Sequence, residues 1–234
     1  MRLIGQIKNS FLHLVFPQVC EGCGSDVVDD HDLLCLKCLG SLPITGFQFH
    51  SSNVVEKMFW GRLPIREASA QYYFTKESMM QHLMHQIKYK GNKELGVYLG
   101  NLMGVALQQT NRFSNIDALI PLPLFPSKEK KRGYNQAALL CYGISEIIGK
   151  PVWENVVIRT IHTETQTRKN RVARWKNIEG KFQLNDAGKL KDKHVLLVDD
   201  VITTGASLEA CGREILKSGE VGLSICTLCY ASHI

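Results

Sequence analysis

The stretch Val195-Leu196-Leu197-Val198-Asp199-Asp200-Val201-Ile202-Thr203-Thr204-Gly205-Ala206-Ser207 limits what this chain can fold into more than any other. An apolar run of strand type delivers two adjacent carboxylates, followed by a short hydroxyl-rich loop with one glycine. A helical pattern opens at Ser207, with Leu208, Cys211 and Ile215 apolar and Gly219 as its stop. Such a strand, loop and helix form an anion site. Backbone N–H groups at the helix start favour a phosphate, Thr203, Thr204 and Ser207 add hydroxyl donors, and Gly205 lets the backbone approach closely. The two carboxylates cannot bind phosphate. As acceptors they suit the hydroxyls of a ribose whose 5'-phosphate lies in the loop.

The stretch resembles the phosphoribosyl-pyrophosphate (PRPP) motif of type I phosphoribosyltransferases, in which two acidic residues contact the ribose diol and the next loop grips the 5'-phosphate. That resemblance assigns Asp199 and Asp200 to the ribose, and Val201, Thr203, Thr204, Gly205, Ala206 and Ser207 to the phosphate loop. A plainer reading is a buried parallel strand leading to a helix capped by Ser207. It leaves the two adjacent carboxylates without an explanation, because like charges at a strand end repel unless something neutralises them. A Walker B strand would also read apolar and then acidic, but it requires a P-loop. The nearest approach, Gly143 to Pro151, has the wrong spacing and a proline where the hydroxyl belongs.

The chain has 234 residues, 44% of them hydrophobic, enough for one α/β core and a small appendage. Leu3, Ile7, Phe11 and Leu14 recur at helical spacing, which predicts an amphipathic N-terminal helix over residues 1–16, stopped before Pro17. It is too short and too polar to span a bilayer, no transmembrane segment is expected, and it lacks the pattern of a signal peptide. A reducing, cytoplasmic location is therefore expected. The net charge of +6 is unevenly placed: residues 126–181 hold twelve Lys or Arg against five Glu, and the remainder is slightly acidic. The excess forms two clusters, Lys128, Lys130, Lys131 and Arg132, then Arg168, Lys169, Arg171, Arg174 and Lys176. A parallel sheet could bring both around one crevice at the carboxyl ends of its strands. Such a lining suits a polyphosphate or a nucleic-acid backbone, and charge does not separate the two.

Cys20 and Cys23, then Cys35 and Cys38, form two C-x-x-C knuckles. Together they can supply a closed tetrahedral shell of four thiolates, for which structural zinc is the expected ion and iron the minor alternative. Disulfides would need an oxidising compartment. Between Cys20 and Cys38 five acidic residues face Lys37 alone, so the module, spanning residues 17–45, is a poor phosphate binder and is expected to be structural or to dock a protein. His31 is read as a loop residue. Cys141, Cys211, Cys226 and Cys229 are read as core cysteines.

The rest of the chain, residues 46–234, reads as one α/β domain. Strands are expected at 68–74, 117–122 and 156–159, helices at 79–89, 95–107 and 137–148, and a long loop through the first basic cluster. A terminal strand is expected at 221–230. This series is the grammar of a parallel sheet with helices on both faces.

Pro121-Leu122-Pro123, Lys131-Arg132-Gly133-Tyr134-Asn135-Gln136, Arg159, Thr165-Gln166-Thr167, Arg174-Trp175-Lys176-Asn177, Gly180 and Phe182 precede the PRPP motif in that order, behind the four cysteines. The combination resembles the ComF competence-protein family. Even His85-Gln86-Ile87-Lys88-Tyr89-Lys90-Gly91 fits its pattern, although a basic surface helix explains that segment equally well. The resemblance implies a type I phosphoribosyltransferase fold behind a small zinc-ribbon module. It implies that Arg132 and Gly133 form a pyrophosphate loop, an arginine fork and a free amide facing the leaving group, and that Gln166 and Arg174 lie on a mobile lid. It further implies PRPP with Mg²⁺ as ligands, and a role with incoming single-stranded DNA in natural transformation. A competence-machinery protein docked through the zinc module or the N-terminal helix is a further implied partner. An active Mg²⁺-dependent phosphoribosyltransferase with a nucleobase or amine acceptor is the alternative. The expected hood, residues 46–115, shows no pattern that names a base.

Overall fold

The computed structural model describes residues 19–29, 32–160 and 182–231. The expected N-terminal helix, His31, and the second basic cluster with Gln166 and Arg174 lie outside these residues. Four strands form one parallel sheet: β1 (Ala68–Phe74), β2 (Ala118–Pro121), β5 (Lys193–Ile202) and β6 (Val221–Ala231), in the order β1-β6-β5-β2. Their side chains alternate between two cores. Leu119, Leu196 and Val198 join Leu95, Leu99, Met103, Leu140 and Ile144, which come from α4 (Lys93–Gln108) and α6 (Gln136–Ile148). Ala118, Ile120, Val195, Leu197 and Ile225 face the other way, onto Leu208, Cys211 and Ile215 of α7 (Ala206–Leu216). Helices thus cover both faces, as a fully parallel sheet requires.

The two helices that follow β2 and β5 go to opposite faces of the sheet. The gap between the carboxyl ends of these neighbouring strands is therefore the topological switch point, where open α/β sheets bind ligands. One wall is immobilised by close helix contact. An added Cβ at Gly143 of α6 would lie 2.0 Å from the carbonyl oxygen of Val97, and one at Gly100 of α4 would lie 2.4 Å from that of Leu140. Only glycine permits this crossing, and it fixes the helix that begins immediately after the Arg132–Gly133 loop.

Three expectations change. The basic stretch expected to be a loop contains a helix, α5 (Pro126–Arg132), with Pro126 in its first turn, three basic residues in its last turn and Gly133 at φ 82° as its stop. Its signals are those of a complete short helix. β3 (Val157–Arg159) does not join the parallel sheet. It pairs antiparallel with β4 (Phe182–Leu184), forming a two-stranded ribbon, while Val152 takes the place beside β2 through a bridge to Leu119. Much of the expected hood is core: residues 68–108 supply β1, α3 (Met79–His85) and α4, leaving a smaller lobe around α2 (Val54–Lys57). Asn53 locks that lobe, capping α2 through its side-chain oxygen and donating to the carbonyl of Ala68 at 2.8 Å.

The two outer strands of the sheet are both covered. Beside β1, Ile44 bridges Tyr72, Tyr73 donates to the Pro43 carbonyl at 2.8 Å, and Thr45 donates to that of Gln71 at 3.0 Å. Beside β2, Leu119 donates to the Pro151 carbonyl and Trp153 donates back to Leu119. The cysteine segment packs into the same core as α3 and α4, with Cys20, Leu34, Cys38 and Leu42 joining Met80, Leu83 and Met84. α1 (Leu36–Gly40) holds the last of the four cysteines.

Candidate functional site

β5 runs to Ile202, so Asp199 and Asp200 sit near the carboxyl end of a strand whose earlier residues are buried. Asp199 accepts from the backbone N–H of Asp200 at 2.8 Å. Burial raises the pKa of Asp199 to about 8, with the charge of Asp200 adding to the effect; that N–H, Lys88 and Arg159 oppose it. The pair is therefore short of positive charge. After Ile202 the chain turns through exposed Thr203 and Thr204 into α7, with Gly205 at φ 72° standing at the N-cap. Ser207 lies inside the first turn of the helix and is not the cap. The turn needs glycine for two reasons: its backbone is left-handed, and a Cβ would lie 3.1 Å from the Phe59 ring.

The small lobe supports this loop from beneath. Arg62 donates to the carbonyls of Met58 at 2.9 Å and Thr204 at 3.3 Å, and its guanidinium pairs with Glu209 of α7. Arg213 joins the same carboxylate and donates to the Arg62 carbonyl at 2.8 Å. The sequence reading missed Phe59 and Arg62, since nothing local marks a residue whose partner lies about 140 positions away.

On the β2 side, Asn135 caps α6 and donates to the Leu122 carbonyl at 3.0 Å, fixing the exit of the Arg132–Gly133 loop. Arg132 donates to Gln136 and lies 5.9 Å from the Tyr89 ring centroid. The Gly133 amide is not free as expected: it donates to the Glu129 carbonyl at 2.6 Å, closing α5. Lys128, Lys130 and Lys131 are exposed, and among the described residues none forms an ion pair. Arg159 stacks on Phe125 at 3.6 Å and on Phe182 at 4.9 Å, so the antiparallel ribbon carries a cation to the edge of the Asp199 site.

The segment with two equal readings turns out to face the site. α3 continues as a π-helical turn over Gln86–Lys90, closed by Gly91 at φ 76°. There Lys88 pairs with Asp200 at 2.8 Å, and the Tyr134 hydroxyl donates to the Ile87 carbonyl. Its sequence signal was a basic helix end followed by glycine, which by itself does not distinguish a surface from a site.

The four N-terminal cysteines converge. Their sulfurs lie within 4.8 Å of one another, and Cys23 and Cys35 are 3.8 Å apart. A tetrahedral ion with metal–sulfur bonds of about 2.3 Å needs sulfurs about 3.8 Å apart. Burial opposes ionisation of Cys20, but backbone N–H groups of Cys35, Cys23 and Gly22 hold its thiol down to about 6. Burial and the neighbouring thiols push Cys38 up. The cluster can hold a metal ion. Cys141, Cys211, Cys226 and Cys229 are buried and free, as expected of core residues, and burial pushes each thiol up. Among the described residues no helix is long and apolar enough to cross a membrane.

Residues 150–233 match the phosphoribosyl transferase domain family, and with the parallel sheet and its switch-point crevice this gives a type I phosphoribosyltransferase fold. The likeness extends over most of the chain. "DNA utilization protein YhgH" of Escherichia coli K12 is 27% identical over 214 residues, covering 90% of this chain and 83% of that one. "Competence protein F" of Haemophilus influenzae is 28% identical over 213 residues, covering 89% and 88%. "Competence protein ComFC" of Bacillus subtilis is 26% identical over 152 residues, 63% of this chain and 58% of that one. The chain is thus similar over most of its length to proteins named for competence and DNA utilization, and it carries a phosphoribosyltransferase domain.

Proposed function

We propose that this protein binds PRPP with Mg²⁺ at the β2–β5 switch point and assists the cytoplasmic handling of imported single-stranded DNA during natural transformation. The observation that carries the PRPP reading is the Asp199–Asp200 pair followed directly by a left-handed Gly205 and the start of α7. Acceptors for a diol and donors for a phosphate lie in one turn of chain. Asp199, Asp200, Thr203, Thr204, Gly205 and Ser207 hold the ribose phosphate, with Val201 and Ala206 supplying its backbone. Arg132, Gln166 and Arg174 serve the pyrophosphate end, with Gly133 shaping the turn that follows Arg132. The raised pKa of Asp199 fits a carboxylate pair that a divalent cation would relieve. Mg²⁺ binds chiefly through substrate oxygens, water and one or two carboxylates, and when present it neutralises pyrophosphate charge.

Cys20, Cys23, Cys35 and Cys38 hold structural zinc in this reading, because a four-thiolate shell leaves no open position. Residues 17–45 then form a zinc module on a phosphoribosyltransferase domain of residues 46–234. The module or the N-terminal segment, residues 1–16, offers a docking surface to a competence-machinery protein. The DNA part draws on the names of the relatives and on the exposed, unpaired lysines of α5. These suit a strand that is followed through its phosphates and stacked on aromatic side chains.

The test is pyrophosphate release from PRPP and Mg²⁺, with pooled nucleobases, ammonia and single-stranded DNA offered to wild-type protein and to Asp200→Asn. Release that depends on Asp200 makes the protein an active phosphoribosyltransferase and directs the search to its acceptor. PRPP binding without release makes the fold a ligand-binding module, and full activity in Asp200→Asn overturns the site. For DNA, single-strand binding should weaken with salt and vanish when Lys130, Lys131, Arg168 and Lys169 are all made neutral. Binding unchanged by that quadruple substitution removes the DNA reading.

A further inference from the structure

Lys88 belongs neither to the PRPP motif nor to the Arg132–Gly133 loop, yet it lies between them. Its ammonium is 2.8 Å from Asp200, with the two side chains 25% and 17% exposed. The residue before it is tied to the opposite wall by the Tyr134 hydroxyl on the Ile87 carbonyl, and the residue after it carries the ring over which Arg132 sits. A single π-helical turn therefore bridges the ribose side and the pyrophosphate side, with Lys88 at its centre. π-Helical turns recur at functional sites, where they re-aim side chains that an α-helical register would turn away.

The phosphate loop after β5 offers only neutral donors, hydroxyls and backbone N–H groups, and Arg132 uses one of its donors on Gln136. A pyrophosphate bound beside that loop carries more negative charge than one guanidinium balances, and Lys88 is the cation already in contact with the carboxylate pair. An ammonium is a compact charge with three donors and suits phosphate oxygens without a fixed fork geometry. Its contact with Asp200 is partly open to solvent, so it can serve as a resting contact that substrate replaces. We infer that Lys88 is a substrate-binding residue for the pyrophosphate end of PRPP, and that in the ligand-free protein it rests on Asp200. The inference builds on the PRPP reading above. On substrate entry the ammonium moves to pyrophosphate oxygens, and the carboxylate it leaves accepts the ribose hydroxyls. Binding of the two ends is thereby coupled through one side chain.

Calorimetric titration of wild type, Lys88→Gln and Lys88→Arg with Mg²⁺-PRPP, Mg²⁺-pyrophosphate and ribose 5-phosphate tests this. Lys88→Gln should bind PRPP and pyrophosphate about ten- to a hundredfold more weakly, the effect of removing one charged hydrogen-bond donor. Ribose 5-phosphate should stay within about twofold, and Lys88→Arg should restore most of the lost affinity. A merely structural role for Lys88 would weaken all three ligands together, and that outcome overturns the assignment, as does unchanged PRPP affinity. If Lys88→Gln melts early, Lys88→Met repeats the comparison with an apolar stem of similar length. A wild-type protein that binds no PRPP removes the underlying reading along with this one, and the wild-type titration alone shows which has failed.

Discussion

Two regions of this molecule crowd ionisable groups of the same sign, and they resolve the crowding differently. At the end of β5 the carboxylates of Asp199 and Asp200 are met by side chains of the protein itself: Lys88 in direct contact and Arg159 nearby. At the N-terminus, among the described residues, the four cysteine sulfurs meet one another and, at Cys20, backbone N–H donors. The first arrangement is folded before any ligand arrives, and its partners can be exchanged. The second can hold a metal ion and, on the zinc reading proposed above, is complete only when that ion closes it. On those readings the difference separates a site built for turnover of contacts from one built for permanence, and it follows from whether the compensating charge lies within the chain.

The largest effect should come from breaking the permanent site. Cys35→Ser, or treatment with a strong chelator, is expected to abolish folding of the module, since structural zinc contributes about 10–16 kcal/mol in isolated zinc-finger peptides. Metal analysis should read about one equivalent per chain in wild type and fall below half in the variant, with the melting transition lost or broadened. Unchanged melting without metal would place the cluster among ordinary core cysteines and dissolve the contrast. An intermediate effect is expected at Gly205→Ala, which forces a left-handed backbone on alanine and drives a methyl group against Phe59. A loss of about 1–2 kcal/mol in stability is expected, together with weaker PRPP binding. Denaturant melts and titration with PRPP check both.

A third effect concerns pH. Asp199 has a folded-state pKa raised from 3.8 to about 8, so between those values the folded chain holds a proton that the unfolded chain has lost. Its contribution is fully present below about 3.8 and is lost as pH rises through about 8, so the ligand-free protein should lose stability across that window. Asp199→Asn should flatten the slope and raise stability near pH 8 while impairing ligand binding. An unaltered slope in melts from pH 5 to 8.5 would show that the carboxylates are better neutralised than their surroundings suggest.

Much of the fold was legible wherever a local pattern carried the information. β1 lies at residues 68–74 as expected, its Tyr72, Tyr73 and Phe74 being residues enriched in strands. Gly149 ends α6 in the left-handed conformation, and the cysteine spacing was enough to foresee the cluster. The errors have a common cause. α5 was read as a loop because its charges outweighed its Pro126 start and Gly133 stop. β3 was assigned to the sheet because propensity identifies a strand but not its partner. Lys88, Phe59 and Arg62 were missed as site residues because each acts across a fold that only tertiary packing assembles. The turn between β5 and α7 was readable because its two carboxylates, its hydroxyls and its glycine lie close together in sequence.

The covering of the sheet margins has a consequence for behaviour at high concentration. An uncovered strand invites pairing with another molecule, and natural proteins block such pairing with prolines, short flanking segments or overlying chain. Here Pro43 and Pro151 both stand in the flanking segments. The segment beside β1 is also the chain that leaves the cysteine cluster. If the cluster holds an ion, its loss should loosen both the N-terminal module and the guard on the outermost strand, with aggregation through strand pairing as the visible result. The cluster would then bear on the solubility of the whole chain as well as on the shape of its smallest part.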